Sequence, residues 1–212
     1  MQGLIGKKVG MTRITDKDTG IVIPVTVIQT GMNVVCQVKT KAVDGYRAVQ
    51  LGFQSVAEKK LTKPELGHCK KHNVSPVKVI HEFDFDSAAE TLVPGQQIGV
   101  EIFENVKTVN VVGVSKGRGF TGTIKRHNFK IGRMTHGNTN RRERGSSGSN
   151  TYPGRVFLGL RMSGQYGAAP VTTKNLQVVA IDKDDGLVFV KGAIPGANRS
   201  IVYISKNKLR SK

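Results

Sequence analysis

The residues best able to do chemistry crowd into positions 113–173. Arg141, Arg142 and Arg144, with Glu143 among them, run directly into Gly145-Ser146-Ser147-Gly148-Ser149-Asn150-Thr151-Tyr152. A guanidinium offers a planar fork of donors to a phosphate and can stack on a base. The hydroxyls and amides of Ser146, Ser147, Asn150 and Thr151 can bond phosphate oxygens, base edges or ribose hydroxyls. His127, Phe129, Tyr152, Phe157 and Tyr166 are interleaved with the cations and provide faces for stacking. Upstream, Gly117-Arg118-Gly119-Phe120-Thr121-Gly122 would let the backbone approach a phosphate closely. Lys116, Arg118, Lys125 and Arg126 would supply the countercharge there. Lys130, Arg133, His136, Arg155 and Arg161 complete a set of candidate nucleic-acid contacts. The opposing reading of the same residues is a solvated loop without a partner.

Three other chemistries compete for these motifs. The GxGxxG at 117–122 matches a dinucleotide fingerprint, but that fingerprint needs a helix directly after it and an acid about 20 residues on. The following TIKRHNFKIG reads poorly as a packed helix, position 137 onward reads GNTNRR, and there is no βαβ alternation. His68, Cys69 and His72 suggest a metal site, yet zinc needs three or four ligands and no second pair exists, so no metal and no cofactor is expected. Ser146, Ser147 and Ser149 near His136 suggest a nucleophile and base, but no GxSxG elbow surrounds them. Glu143, the nearby carboxylate, reads as a balance for Arg142 and Arg144. No catalytic residue is assigned.

Charge explains why this stretch matters. The 212 residues carry 33 Lys and Arg against 15 Asp and Glu, a formal charge of +18. Residues 1–112 hold 14 basic and 11 acidic side chains, whereas 113–173 hold 11 basic and one acidic. Residues 174–212 hold eight basic and three acidic, with Lys206, Lys208, Arg210 and Lys212 at the end. Twelve of the 25 glycines also lie between 113 and 167. A segment both basic and glycine-rich cannot bury enough apolar surface to order itself, so a polyanion must order it. Composition does not choose between RNA and DNA, although no helix-turn-helix, zinc-finger or basic-zipper pattern is present. No run of 18 apolar residues offers a membrane span, and the N-terminal residues have no apolar signal core, which argues against secretion. Two cysteines are too few for a disulfide scaffold and fit a reducing compartment.

The elements that must hold such a segment lie on either side of it. Residues 21–30, 34–39, 46–53, 77–83, 98–103 and 108–115 are short and rich in β-branched side chains. The pattern resumes at 176–183, turns at Asp184-Asp185-Gly186, and continues at 187–194 and 201–206. About nine evenly spaced strands predict a barrel or sandwich, with one helix near 64–73 opened by Pro64. The expected architecture is mainly β: a barrel from 1–112 plus 171–212, and a long basic extension at 113–170. A loop of that length is acceptable only where it is itself functional.

At residues 103–126 a resemblance becomes specific. Phe103, Asn110, Gly113, Ser115, Gly117-Arg118-Gly119, Gly122 and Arg126 fall at the spacing of the signature of the universal family of large-subunit ribosomal protein three. The run Gly3-Leu4-Ile5-Gly6-Lys7-Lys8-Val9-Gly10-Met11-Thr12 agrees, as do Thr135-His136-Gly137, Pro153-Gly154-Arg155-Val156-Phe157 and Arg161-Met162-Ser163-Gly164. So does Val190-Lys191-Gly192-Ala193-Ile194-Pro195-Gly196. The length resembles the bacterial or organelle-encoded form.

The resemblance implies a closed Greek-key-type barrel of the translation-protein kind and a cytoplasmic or organelle ribosome as its location. It implies binding to large-subunit rRNA early in assembly, and an extension reaching toward the peptidyl transferase centre with its tip near 145–153. Neighbouring large-subunit proteins fourteen and nineteen are the implied protein partners, with no membrane and no small-molecule substrate. Some bacterial members carry a methylated glutamine in a Gly-Ser-Ile-Gly-Gln-Asn tip. Ser149 stands at that position here, so that modification cannot occur. The expected function is a structural, non-enzymatic rRNA-binding constituent of the large subunit. An RNA-acting enzyme using His136 and a general nucleic-acid chaperone are its rivals.

Overall fold

A computed structural model describes residues 3–16, 20–84 and 92–207. Among these residues the strands are β1 (Gly3–Thr15), β2 (Val22–Gln29), β3 (Asn33–Lys39), β4 (Ala48–Ser55), β5 (Val77–Phe83) and β6 (Gln97–Ile98). Then come β7 (Thr108–Val114), β8 (Phe120–Thr121), β9 (Gly164–Gln165), β10 (Pro170–Asp182), β11 (Leu187–Lys191) and β12 (Ile201–Lys206). Three helices accompany them: α1 (Lys41–Asp44), α2 (Lys63–Lys71) and α3 (Thr123–His127). The chain divides into two compact units, Met1–Ser115 with Pro170–Lys212, and Lys116–Ala169.

The larger unit is built on an antiparallel barrel closed in the order β1-β12-β7-β10-β11-β2. Strands β7 and β10 pair antiparallel across the intervening residues 115–169, β10 and β11 form a hairpin, and β12 returns beside β7, which is a Greek key. The strand sequences dictate which face turns inward. In β12, Val202 and Ile204 are fully buried between the half-buried Ile201 and Tyr203. In β7 and β11 the same period of two buries Val109, Val111, Val188 and Val190. Closure leaves no unpaired barrel edge.

Strand β1 breaks that period, and the glycines are the reason. Its first residues, Gly3 through Gly6, are all buried, while most of its far half is exposed. A Cβ on Gly6 would stand 2.7 Å from Ile28 Cγ2, so only glycine lets β2 pack this closely. A register shift between Lys8 and Gly10 then bulges the strand. Buried Asn33 seals the barrel end nearby. Its Oδ1 accepts from the Ile5 amide at 3.0 Å, and its Nδ2 donates to the carbonyls of Ile5 and Thr30, each at 3.1 Å.

Between β2 and β7 the chain makes a second, four-stranded sheet in the order β5-β4-β3-β6. Val35, Val49, Leu51, Phe53, Phe83 and Ile98 from this sheet share one core with the barrel residues. Helix α2 is started by a capping box in which Glu65 accepts from both the amide and the hydroxyl of Thr62. Those bonds hold the Glu65 carboxyl below its usual range. Cys36, Cys69, Val74 and Val77 form a smaller buried cluster. Both thiols are free, and burial, reinforced by Cys69, pushes Cys36 up to about 11, so its reactive thiolate is scarce.

Several elements differ from the sequence expectation. The nine expected strands do not all line one barrel: those at 34–39, 46–53 and 77–83 lie in the second sheet. Strand β1 was not expected, since three glycines and two lysines mask it. The segment 98–103 is a strand only through Ile98. After Gly99 it tightens into a 3₁₀ turn, Val100–Phe103, which buries its first and last side chains. Strand β10 begins six residues early, because the polar 170–175 stretch is the partner that β7 needs. A short helix, α3, does follow the GxGxxG segment within the TIKRHNFKIG stretch that reads poorly as a packed helix; it is five residues long and buries only Thr123. Lys208, Arg210 and Lys212 lie outside the described residues.

Candidate nucleic-acid interface

The smaller unit, Lys116–Ala169, carries all 17 candidate contact residues. Its regular structure is slight: the two-residue pair β8 and β9, with Phe120 opposite Gln165 and Thr121 opposite Gly164, and the single helix α3. The rest is turns held by local bonds. Arg118 N donates to Tyr166 O and Tyr166 N to Gly119 O, both at 2.9 Å, which carries the pairing past the strand ends. Gly132 N donates to Arg141 O at 3.0 Å, and Asn138 Nδ2 to Arg133 O at 2.8 Å. These bonds fold 132–141 back on itself just before the arginine run.

Fourteen candidates stand exposed: Lys116, Arg118, Lys125, Lys130, Arg133, His136, Arg141, Arg142, Ser146, Ser147, Asn150, Tyr152, Arg155 and Arg161. The other three, Arg126, His127 and Arg144, are half-buried. Arg126 Nη1 donates to the Met162 carbonyl at 2.7 Å, and His127 Nε2 lies 3.0 Å from the same oxygen. These two side chains therefore tie α3 to the returning chain, a local duty that their charge alone did not reveal. Ser146 is also engaged locally, its hydroxyl closing a turn with Gly148. Arg118 lies over the Tyr166 ring, 5.2 Å from its centre, a cation–π pair that holds both groups at the surface.

Glu143 does not balance its neighbours. Among the described residues no ion pair engages Glu143 or any of the 11 basic side chains of this unit. The cations are uncompensated by protein. Apolar side chains are exposed among them: Phe120, Met134, Tyr152, Phe157 and Leu158 are each more than half accessible. Tyr152 is 88% exposed, as a base-stacking platform requires. Phe120 was missed in the sequence because its GxGxxG setting drew attention to the glycines.

A pocket of about 370 Å³ lies within this unit, lined by Gly122, Thr123, Arg142, Arg144, Met162 and Ser163. It gathers three segments, around 122, 143 and 162. Sequence spacing could not have joined them, since nothing in Thr123 or Ser163 marks them as neighbours of the arginines. No group of three or more His, Cys, Asp or Glu side chains suited to a metal forms among the described residues. His68 instead meets Gln50, its Nε2 2.5 Å from Oε1, and packs edge-on to His72. No helix among the described residues is long and apolar enough to cross a membrane.

The chain matches known proteins along its whole length. The family model for ribosomal protein L3 matches residues 68–187. Large ribosomal subunit protein uL3 of Crocosphaera subtropica is 47% identical, over 99% of this chain and 99% of the relative. The uL3 protein of Gloeothece citriformis is 48% identical over the same shares. The uL3c form of Guillardia theta is 48% identical over 95% of this chain and 98% of its own length. The class so defined is a structural protein of the large ribosomal subunit, not an enzyme. The chain belongs to the ribosomal protein L3 family.

Proposed function

We propose that this large-subunit protein binds large-subunit rRNA through the basic unit, with the barrel of residues 1–112 and 171–212 as the folded base for an extension at 113–170. One observation carries the reading: 11 basic side chains against one carboxylate, none ion-paired among the described residues. Bringing so many like charges together is costly unless a polyanion neutralises them. In that role arginines and lysines let rRNA segments pack closer than phosphate repulsion otherwise allows. The contact residues are Lys116, Arg118, Lys125, Arg126, His127, Lys130, Arg133, His136, Arg141, Arg142, Arg144, Ser146, Ser147, Asn150, Tyr152, Arg155 and Arg161.

The family resemblance extends the proposal to entry early in subunit assembly and to neighbours fourteen and nineteen. It also directs the tip, about 145–153, toward the peptidyl transferase centre. The deciding experiment is a binding series over salt with large-subunit rRNA fragments and an arbitrary duplex. Preference for the rRNA at moderate salt is expected. Equal affinity for both would replace this reading with that of a general nucleic-acid chaperone.

A further inference from the structure

The pocket at Arg142 and Arg144 holds two guanidinium-bearing residues on one wall and Ser163 on another, with Gly122 and Thr123 completing it. No carboxylate pairs with either arginine among the described residues, and Arg142 has no side-chain hydrogen bond in them. Arg144 is half-buried, and its one bond, from Nη2 to the carbonyl of Ser146, is long at 3.5 Å. Met162, on the same wall as Ser163, already has its carbonyl bonded by Arg126 and His127. The two arginines thus share one concavity with residues 122–123 and 162–163.

Like charges held side by side repel, and the repulsion grows where water is partly excluded. A protein that needed only a diffuse basic surface would spread them apart. We propose that this pocket is a seat for a single phosphodiester group of RNA, gripped by Arg142 and Arg144 and bounded by Ser163. The inference rests on the rRNA reading above and sharpens it: one phosphate becomes the pin that fastens the segments at 122, 143 and 162 together. Charge-assisted forks suit a phosphate geometrically, which a pair of lysines would not.

The test uses the full chain in three arms. First, inorganic phosphate is titrated into protein labelled at arginine Nε. Saturable shifts are expected at Arg142 and Arg144 and at the Ser163 amide, with Arg155 and Arg161 little changed. Second, phosphorothioate interference is mapped on a bound rRNA fragment for wild type, R142Q/R144Q and the equal-charge comparison R155Q/R161Q. R142Q/R144Q should lose interference at one discrete phosphate, weaken binding by about 10- to 100-fold and lower the salt slope by about 0.7–0.9. Third, R142K/R144K keeps the charge and should lose the same single position, and its β circular dichroism should match wild type. Shifts spread equally over all arginines, or no discrete phosphate, or wild-type behaviour of R142K/R144K would each overturn the seat while leaving rRNA binding in place. A wild type that prefers no rRNA but still shows the phosphate shifts would overturn the rRNA reading and leave the seat.

Discussion

The Lys8 ammonium donates to the carbonyl of Ile194 at 3.0 Å and to that of Gly196 at 3.1 Å, although Lys8 is only 6% exposed. Its backbone is bound to the same loop: Lys8 N donates to Ser200 O, and Arg199 N donates to Lys8 O at 2.7 Å. The bulge of β1 thus locks onto the turn that leads into β12. A lysine read as part of a basic protein's charge excess serves as an internal bracket.

Lys8→Met keeps the length of the stem and removes the donors, leaving two carbonyls short of partners. A loss of about 2–4 kcal/mol is expected, read as a lower urea midpoint at unchanged slope. A change below about 0.5 kcal/mol, the usual size of a surface substitution, would show the bracket to be dispensable.

Asn33 makes a comparable closure, replacing a strand pairing with its own amide. Asn33→Leu fits the volume and strands the Ile5 amide and carbonyl in the core. We expect about 2–4 kcal/mol of destabilisation, with faster hydrogen exchange of the Ile5 amide as the local signature.

His81 sets a pH dependence. Its ring stacks on Tyr203, with centroids 3.9 Å apart, and meets Phe83 edge-on. Burial holds its pKa below the usual histidine value, against an opposing pull from Glu82. The unfolded state therefore binds a proton more readily than the folded one. The stabilisation is complete above about pH 6.5 and fades as the pH falls through that value toward the depressed folded pKa. His68, shifted the same way by burial and by His72, Lys71 and Lys39, adds to the trend. His81→Phe should flatten the fall of thermal midpoint between pH 7 and 5.5. An unaltered profile would assign the acid sensitivity elsewhere.

Val114 and Pro170 sit directly opposite one another on β7 and β10. A short Gly/Ser linker replacing 116–165 can therefore close as an ordinary hairpin, and loop entropy changes by only about 0.6 kcal/mol per doubling of length. The shortened chain should unfold cooperatively and keep its β circular-dichroism signature. Loss of that signature would show that the excised residues supply core contacts.

The same deletion predicts a change in salt response. If about half of the 11 cations removed contact phosphates, the slope of log K against log salt should flatten by about 4–5 units. An unchanged slope would move the RNA footprint to the barrel unit.

Much of the barrel was legible because its strands are short and rich in β-branched residues, and because β7 and β11 alternate inside and outside, a period that burial enforces. Strand β1 escaped because its core role depends on having no side chains at Gly3 and Gly6, a signal that propensity counts against a strand. The split into barrel and second sheet was also hidden, since Val35 and Leu51 look no different from Val109 and Val111 until topology separates them. At the basic unit, residue types and charge named the candidates. They could not show that Arg126 and His127 bond the chain's own Met162, nor that Arg142 and Ser163 line one pocket, because those pairings span 21 to 36 residues of irregular chain.

The pairing of β1 with β12, Gly3 opposite Ser205 and Lys7 opposite Ile201, has a consequence for the order of events during synthesis. Strand β1 is made well before β12, and the barrel closes only once β12 exists. Such long-range closure is slow, and meanwhile β1 and β7 both present open edges to any passing chain. The cationic unit is made before that closure, so it emerges while the barrel is still unfinished. A nascent chain of this kind spends its most adhesive interval with its charge already on display. Shortening that interval, by moving the chain termini so that β12 precedes β1, should improve the yield of soluble protein.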